Sequence, residues 1–211
     1  MNGKKVFIIY GGIAYNRMFE MYGWEVVTSM EEADLVLFTG GEDVTPSLYG
    51  ETKHPTTGNN PYRDDNEHLL FHKAFHKGMP MAGICRGGQF LNVMCGGKLY
   101  QHVGKHAILG LHKAIDSRTG RTLGVTSTHH QMMRPAPSGE VLCYALLGGF
   151  REYMEGENTV SVNPSEKDVE VVLYKQENVL CFQPHPEFVV YDEKVRECSD
   201  YFFQCLEEVL V

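Results

Sequence analysis

Apolar positions in this chain fall first into short β-branched runs separated by stretches of helical period. Lys5–Tyr10 is a nearly continuous apolar run, of the kind that fills a parallel strand covered on both faces. Ala14–Tyr22 reads as a short helix, and Trp24–Thr28 and Asp34–Thr39 read as the next strands. Asp64–Lys77 is helical, with Leu70, Phe71, Ala74 and Phe75 on one face and Gly78 as its stop. Met79–Ile84 is another strand, and Gly87–Cys95 another helix. This alternation predicts an α/β domain with a mostly parallel central sheet. From about Lys98 to Gln183 the pattern shifts to short strands and turns, with Val169–Tyr174 and Val179–Gln183 as an antiparallel pair. Glu193–Val209 is expected to close the domain as a helix, turning Val195, Cys198, Phe202, Cys205 and Val209 inward.

The length, 211 residues, suits one domain over 1–211. Net charge is −8, from 19 basic and 27 acidic residues, which disfavours both a nucleic-acid binder and docking on an anionic membrane. The apolar runs are far shorter than the ~20 residues of a membrane span, and no secretory signal is visible, so a cytoplasmic setting is expected. Six cysteines include no C-x-x-C pair, which points to reduced thiols rather than a disulfide scaffold. A functional cysteine would then act as a thiolate. Cys95, Cys143, Cys181, Cys198 and Cys205 are expected to be small core residues.

Ligands of such sheets bind beyond the C-terminal strand ends. One loop there, Gly83-Ile84-Cys85-Arg86-Gly87, has the form small-x-nucleophile-x-small between a strand and a helix. A nucleophile elbow needs this form, because its strained turn leaves no room for bulk two residues to either side. The following helix N-terminus favours thiolate. Gln183-Pro184-His185-Pro186-Glu187 supplies a base and an orienting carboxylate. The flanking prolines predict an extended stretch in which His185 and Glu187 point the same way. The backbone N–H groups of Arg86 and of the Gly40-Gly41 turn are candidate oxyanion donors.

These segments resemble class I glutamine amidotransferases. Gly83-Ile84-Cys85-Arg86-Gly87-Gly88-Gln89 resembles their G-x-C-x-G-x-Q nucleophile segment, and His185-Pro186-Glu187 their H-P-E segment. Within that family the chain is most similar to the γ-glutamyl-γ-aminobutyrate hydrolase-like branch (peptidase C26). The likeness rests on the Arg after the nucleophile, on Gly40 to Pro46 with Tyr49-Gly50, on Gly96 to Gln101 and on Val125 to Gln131. It runs from about Asp34 to Phe188.

The resemblance implies a flavodoxin-like three-layer α/β/α fold and a Cys85–His185–Glu187 triad. It also implies that Gly41 and Arg86 N–H groups hold an oxyanion. Gln89 would help bind a glutamyl moiety, and Ser127, Thr128 and His129 would line the pocket. Departures are a shorter segment before Gly40, a shorter stretch between Gln101 and Val125, Thr126 where Asn is usual, and extra sequence over 148–168.

No metal site is expected. His68, His72 and His76 share a helix flank, but i to i+8 is about 12 Å, and His129 and His130 are neighbours that point oppositely in an extended segment. No cofactor is implied, and no phosphate-loop motif is present. Three functions remain open: a stand-alone hydrolase of a small γ-glutamyl substrate, a glutaminase subunit serving a separate amidoligase or synthetase partner, and a non-catalytic or redox-responsive protein.

Overall fold

The computed structural model describes residues 3–162 and 167–210. Residues 163–166, within the 148–168 stretch singled out above, lie outside the described residues. The first half runs β1 (Lys5–Ile9), α1 (Ile13–Met21), β2 (Glu25–Val27), β3 (Leu35–Phe38), α2 (Pro61–His76), β4 (Met81–Ile84) and α3 (Arg86–Met94). Short strands follow: β5 (Lys98–Tyr100), β6 (His102–Val103), β7 (Ala107–Asp116), β8 (Thr122–Thr128), β9 (Met132–Arg134), β10 (Glu140–Ala145), β11 (Arg151–Glu155) and β12 (Asn158–Val162). The chain ends with β13 (Asp168–Tyr174), β14 (Val179–Phe182) and α4 (Arg196–Leu206).

The central sheet has the order β2-β1-β3-β4-β14-β13-β10-β7-β8. From β2 to β14 every pairing is parallel; from β14 to β8 every pairing is antiparallel. β14 is the seam, with Cys181 opposite Gly83 of β4 on one side and Val172 of β13 on the other. Helices cover both faces, which gives the flavodoxin-like three-layer arrangement. In β3, Leu35 and Leu37 join the core under α1 and α4, beside Phe19 and Phe202. Val36 and Phe38 join the core under α2 and α3, beside Phe71 and Phe90. Two-sided burial is why this strand reads as an unbroken apolar run. Two small sheets, β12-β11-β6 and β5-β9, complete the second half. Among the described residues no helix is long and apolar enough to cross a membrane.

Three local expectations need correction. α2 starts earlier than its apolar pattern suggests, because Pro61 pre-sets its first turn and the Asn60 side chain accepts the Arg63 N–H. Its inward face is mixed: Arg63, Asp64 and Glu67 are buried with Phe71 and Ala74, while Phe75 is exposed. Cys95 is only half-buried, unlike the other four cysteines placed in the core.

The α4 packing yields a prediction. Phe202 is fully buried and meets Phe19, Phe182 and Phe203 edge-on. Phe202→Ala should cost about 3–5 kcal/mol, read as a lower urea midpoint at unchanged slope.

Candidate active site

Cys85 lies between β4 and α3 with φ 52° and ψ −113°, outside the ordinary regions for a side-chain-bearing residue. The elbow exists because its neighbours have no Cβ. One on Gly83 would overlap the Gly87 backbone, and one on Gly87 would overlap the Phe38 carbonyl. The Cys85 N–H donates to the Phe182 carbonyl at 2.8 Å, which ties the turn to β14. The first N–H groups of α3, Arg86 foremost, have no intrahelical acceptor, and Cys85 stands at the N-cap from which they start.

His185 follows β14 and sits beside Cys85, both of them against the Gly40 turn. Its Nδ1 is 2.6 Å from Glu187 Oε1, and its ring stacks on Phe188 at 4.7 Å and 8°. The prolines do not make this stretch extended, as the sequence suggested. Pro186 instead opens a 3₁₀ turn over Pro186–Val190, and that turn brings Glu187 back to His185. The His185 N–H donates to Thr126 Oγ1 at 2.6 Å, so Thr126 anchors the backbone of His185. Burial works against a charged imidazole here. The charge and hydrogen bond of Cys85, with those of Glu187, outweigh it and hold His185 well above the usual histidine range.

The Gly40-Gly41 turn lies against this pair. A Cβ on Gly40 would sit 3.1 Å from His185 Cε1 and 3.7 Å from Cys85 Cβ. The Gly40 N–H donates to the Tyr15 hydroxyl at 3.1 Å, which leaves the Gly41 N–H as the candidate oxyanion donor. Gly41 has φ +149°, and a Cβ there would overlap the Arg63 guanidinium. Burial and the charge of Glu187 push the Tyr15 hydroxyl well above the usual tyrosine range.

Arg86 does not offer its side chain to a substrate. Its guanidinium points into the α2 layer and pairs with Asp64 and Glu67, both buried. Burial and the neighbouring Arg63 pull it down to about 10. Arg63 pairs with Glu67 at 2.8 Å and donates to the Thr39 carbonyl at 2.9 Å, fixing the strand end before Gly40.

The residues matched to a substrate pocket divide. Gln89 is buried behind the sulfur, and its amide donates to Gln183 Oε1 at 3.0 Å and to the Gln131 carbonyl at 3.1 Å. Gln183 in turn holds its Nε2 3.7 Å from Cys85 Sγ. Ser127 donates to the His106 carbonyl, and His129 turns inward toward Glu170. Only Thr128 of that trio is exposed; with Thr126, Leu111, Phe188, Tyr191 and Val195 it lines a cleft of about 360 Å³ beside His185. Alternation along β8 explains the split. Sequence reasoning missed Tyr15, Gln183 and the Arg63–Asp64–Glu67 cluster. Charges spaced i to i+4 at the inward positions of α2 were the available signal for the last.

The peptidase C26 family model matches residues 21–187, a span that contains Cys85, His185 and Glu187. The chain belongs to the peptidase C26 family. A Mycobacterium tuberculosis protein carrying a glutamine amidotransferase name is 33% identical over 144 residues, 60% of this chain and 47% of that protein. A glutamine amidotransferase-like protein of Lactococcus lactis is 31% identical over 160 residues, 73% of this chain and 66% of that protein. The chain thus spans about half to two thirds of the length of these relatives. PurLQS from Thermotoga maritima shares the fold, with a TM-score of 0.67 at 18% identity and full coverage of both chains. These likenesses place the peptidase C26 domain among class I glutamine amidotransferases.

His185 has a higher pKa folded than unfolded, so its contribution to stability is complete below about pH 6.5 and is lost as pH rises through the folded value. Removing the Cys85 sulfur removes its largest support. In Cys85→Ala, a ring-NMR titration should show His185 losing its proton at lower pH than in the parent protein.

Proposed function

We propose that this chain hydrolyses a γ-glutamyl amide, glutamine or a γ-glutamyl amine, through a γ-glutamyl thioester on Cys85. The supporting observation is a buried elbow cysteine beside a histidine that is itself held by a carboxylate at 2.6 Å. The thiolate attacks the γ-carbonyl carbon, and the C=O electron pair moves to oxygen. Arg86 and Gly41 N–H groups stabilise that oxyanion. As the tetrahedral adduct collapses, His185 gives its proton to the amide nitrogen, the C–N bond breaks and the amine leaves. Now neutral, His185 takes a proton from water, and the resulting hydroxide attacks the thioester. Collapse of the second adduct expels the thiolate and frees glutamate. Glu187 and Tyr15 hold the imidazole in register with both steps. Gln89 supports the glutamyl end through Gln183, and Thr128 contributes from the cleft wall.

A second reading, a glutaminase supplying ammonia to a separate amidoligase or synthetase, draws support from exposed apolar residues near the site. Ile13 is 67% and Tyr191 71% exposed. In that case hydrolysis would be slow until the partner is present.

The test is glutamate release from glutamine and a panel of γ-glutamyl amides. Cys85→Ala should abolish turnover, and acid-quenched wild-type protein should carry a glutamyl mass adduct absent from that variant. Glu187→Gln should lower kcat about 10²–10⁴-fold. Turnover that survives Cys85→Ala would sink the mechanism.

A further inference from the structure

Behind the elbow, in the antiparallel half of the sheet, three histidines converge on one carboxylate. His106 precedes β7, His112 lies in β7, His129 follows β8, and Glu170 lies in β13. All four are buried, Glu170 completely. Among the described residues the ion-pair partners of Glu170 are all histidines: His112 Nε2 at 2.9 Å and His106 Nδ1 at 3.7 Å from Oε1, and His129 Nε2 at 3.9 Å from Oε2. One ligand atom each from His106, His112 and Glu170 lies within 4.8 Å of the other two, and His129 reaches the group through Glu170 Oε2.

The donors themselves point to an ion. The ring of His129 stands with Nδ1 2.8 Å from the Gln131 carbonyl, which can only accept, so Nδ1 carries the hydrogen and Nε2 offers a lone pair. That lone pair faces Glu170 Oε2, another acceptor, and neither atom has a hydrogen-bond partner. Both ring nitrogens of His106 are likewise unpartnered, one toward Glu170 and one toward Asp168 at 3.6 Å. His112 Nε2 has a hydrogen-bond contact with Glu170 Oε1 at 2.9 Å, whereas the facing lone pairs of His129 Nε2 and Glu170 Oε2 are costly in the interior unless a cation sits between them. Tetrahedral zinc with bonds of 2.0–2.2 Å sets its ligand atoms about 3.3 Å apart, a value that the distances to Glu170 bracket.

The surroundings agree. Metal-bound imidazoles direct their second nitrogen to a carboxylate or a backbone carbonyl. Here His106 Nε2 faces Asp168, which Arg151 and the Leu147 N–H each hold at 2.8 Å, and His129 Nδ1 meets the Gln131 carbonyl. Imidazoles with one carboxylate suit zinc-class ions; magnesium and calcium want oxygen ligands.

We propose that His106, His112, His129 and Glu170 bind one zinc-class divalent cation at a closed, structural site. It would tie β7, β8 and β13 together one residue layer behind the nucleophile, since the Glu170 carbonyl also accepts the Gln183 N–H at 2.8 Å. The site uses no atom of Cys85, His185 or Glu187, and it would bind metal whatever bond the triad cleaves. His129 then serves as a ligand rather than as pocket lining. Sequence spacing gives no hint of this set, since His112 and Glu170 are 58 residues apart.

The test titrates chelator-treated protein with Zn²⁺ and, separately, with Co²⁺. Expected are one equivalent per chain, the intense visible spectrum of tetrahedral cobalt, and an unfolding midpoint raised by about 5–10 °C at a hundredfold excess over Kd. Glu170→Gln and His112→Gln should weaken binding by at least about tenfold, and Asp168→Asn by about 10–100-fold. The exposed His68–His72 pair, 3.2 Å apart, could take metal adventitiously, so His72→Ala serves as the control. His72→Ala should bind as wild type does, an outcome that needs no folded core variant. No binding, a pale octahedral cobalt spectrum, or binding lost with His72→Ala would overturn the proposal.

Discussion

The close approach of α3 to the ends of β3, β4 and β14 governs the rest of the site. Backbone meets backbone there at Gly83, Gly87 and Gly88, where a Cβ would strike Gly87, Phe38 and Phe182 in turn. The helix can sit that near only if the chain turns sharply at Cys85, and the positive φ of that residue is the cost, of order 1–3 kcal/mol. Burial of Phe90, Leu91 and Val93 along α3 offsets it. In return Cys85 stands at the N-cap of α3, the positive end of that helix.

A second constraint comes from α2. Burying Arg63, Arg86, Asp64 and Glu67 together is not an obvious gain in stability, because desolvation of each charge opposes the attraction between them. Breaking the set would strand a charge in the interior, so the network holds its members in one arrangement. The arrangement sends Arg86 away from the pocket and leaves its backbone as its contribution to chemistry. Through the Thr39 carbonyl it also fixes the turn that carries the Gly41 N–H, the candidate oxyanion donor.

The candidate site is held from both halves of the sheet. Tyr15, in α1, accepts from the Gly40 N–H of the turn beside His185, and Thr126, in β8 at the far edge, anchors the His185 backbone. Gln183 joins the end of β14 to Cys85, to Gln89 and, through its backbone, to Glu170. The histidine cluster therefore abuts the catalytic layer directly, and anything that fixes Glu170 also steadies Gln183.

Much of this protein was legible from residue order alone. The parallel strands, the four helices, the late antiparallel pair and the elbow all follow from apolar periodicity and from small residues at fixed offsets, which are local properties. The H-P-E segment was legible too, although Pro186 makes a 3₁₀ turn there instead of an extended stretch. Less was visible where polar groups are buried. Phe75 shared the helical period of Phe71 yet faces solvent, because α2 turns charges inward to meet Arg86. Gln183 and Cys85 touch across 98 residues, and Tyr15 reaches Glu187 across most of the chain. Sequence by itself determined the chemistry on offer and the local shape of each segment. Only the tertiary structure decided which buried polar groups meet, because their cost in the interior is relieved by partners that strand order, not sequence distance, brings alongside.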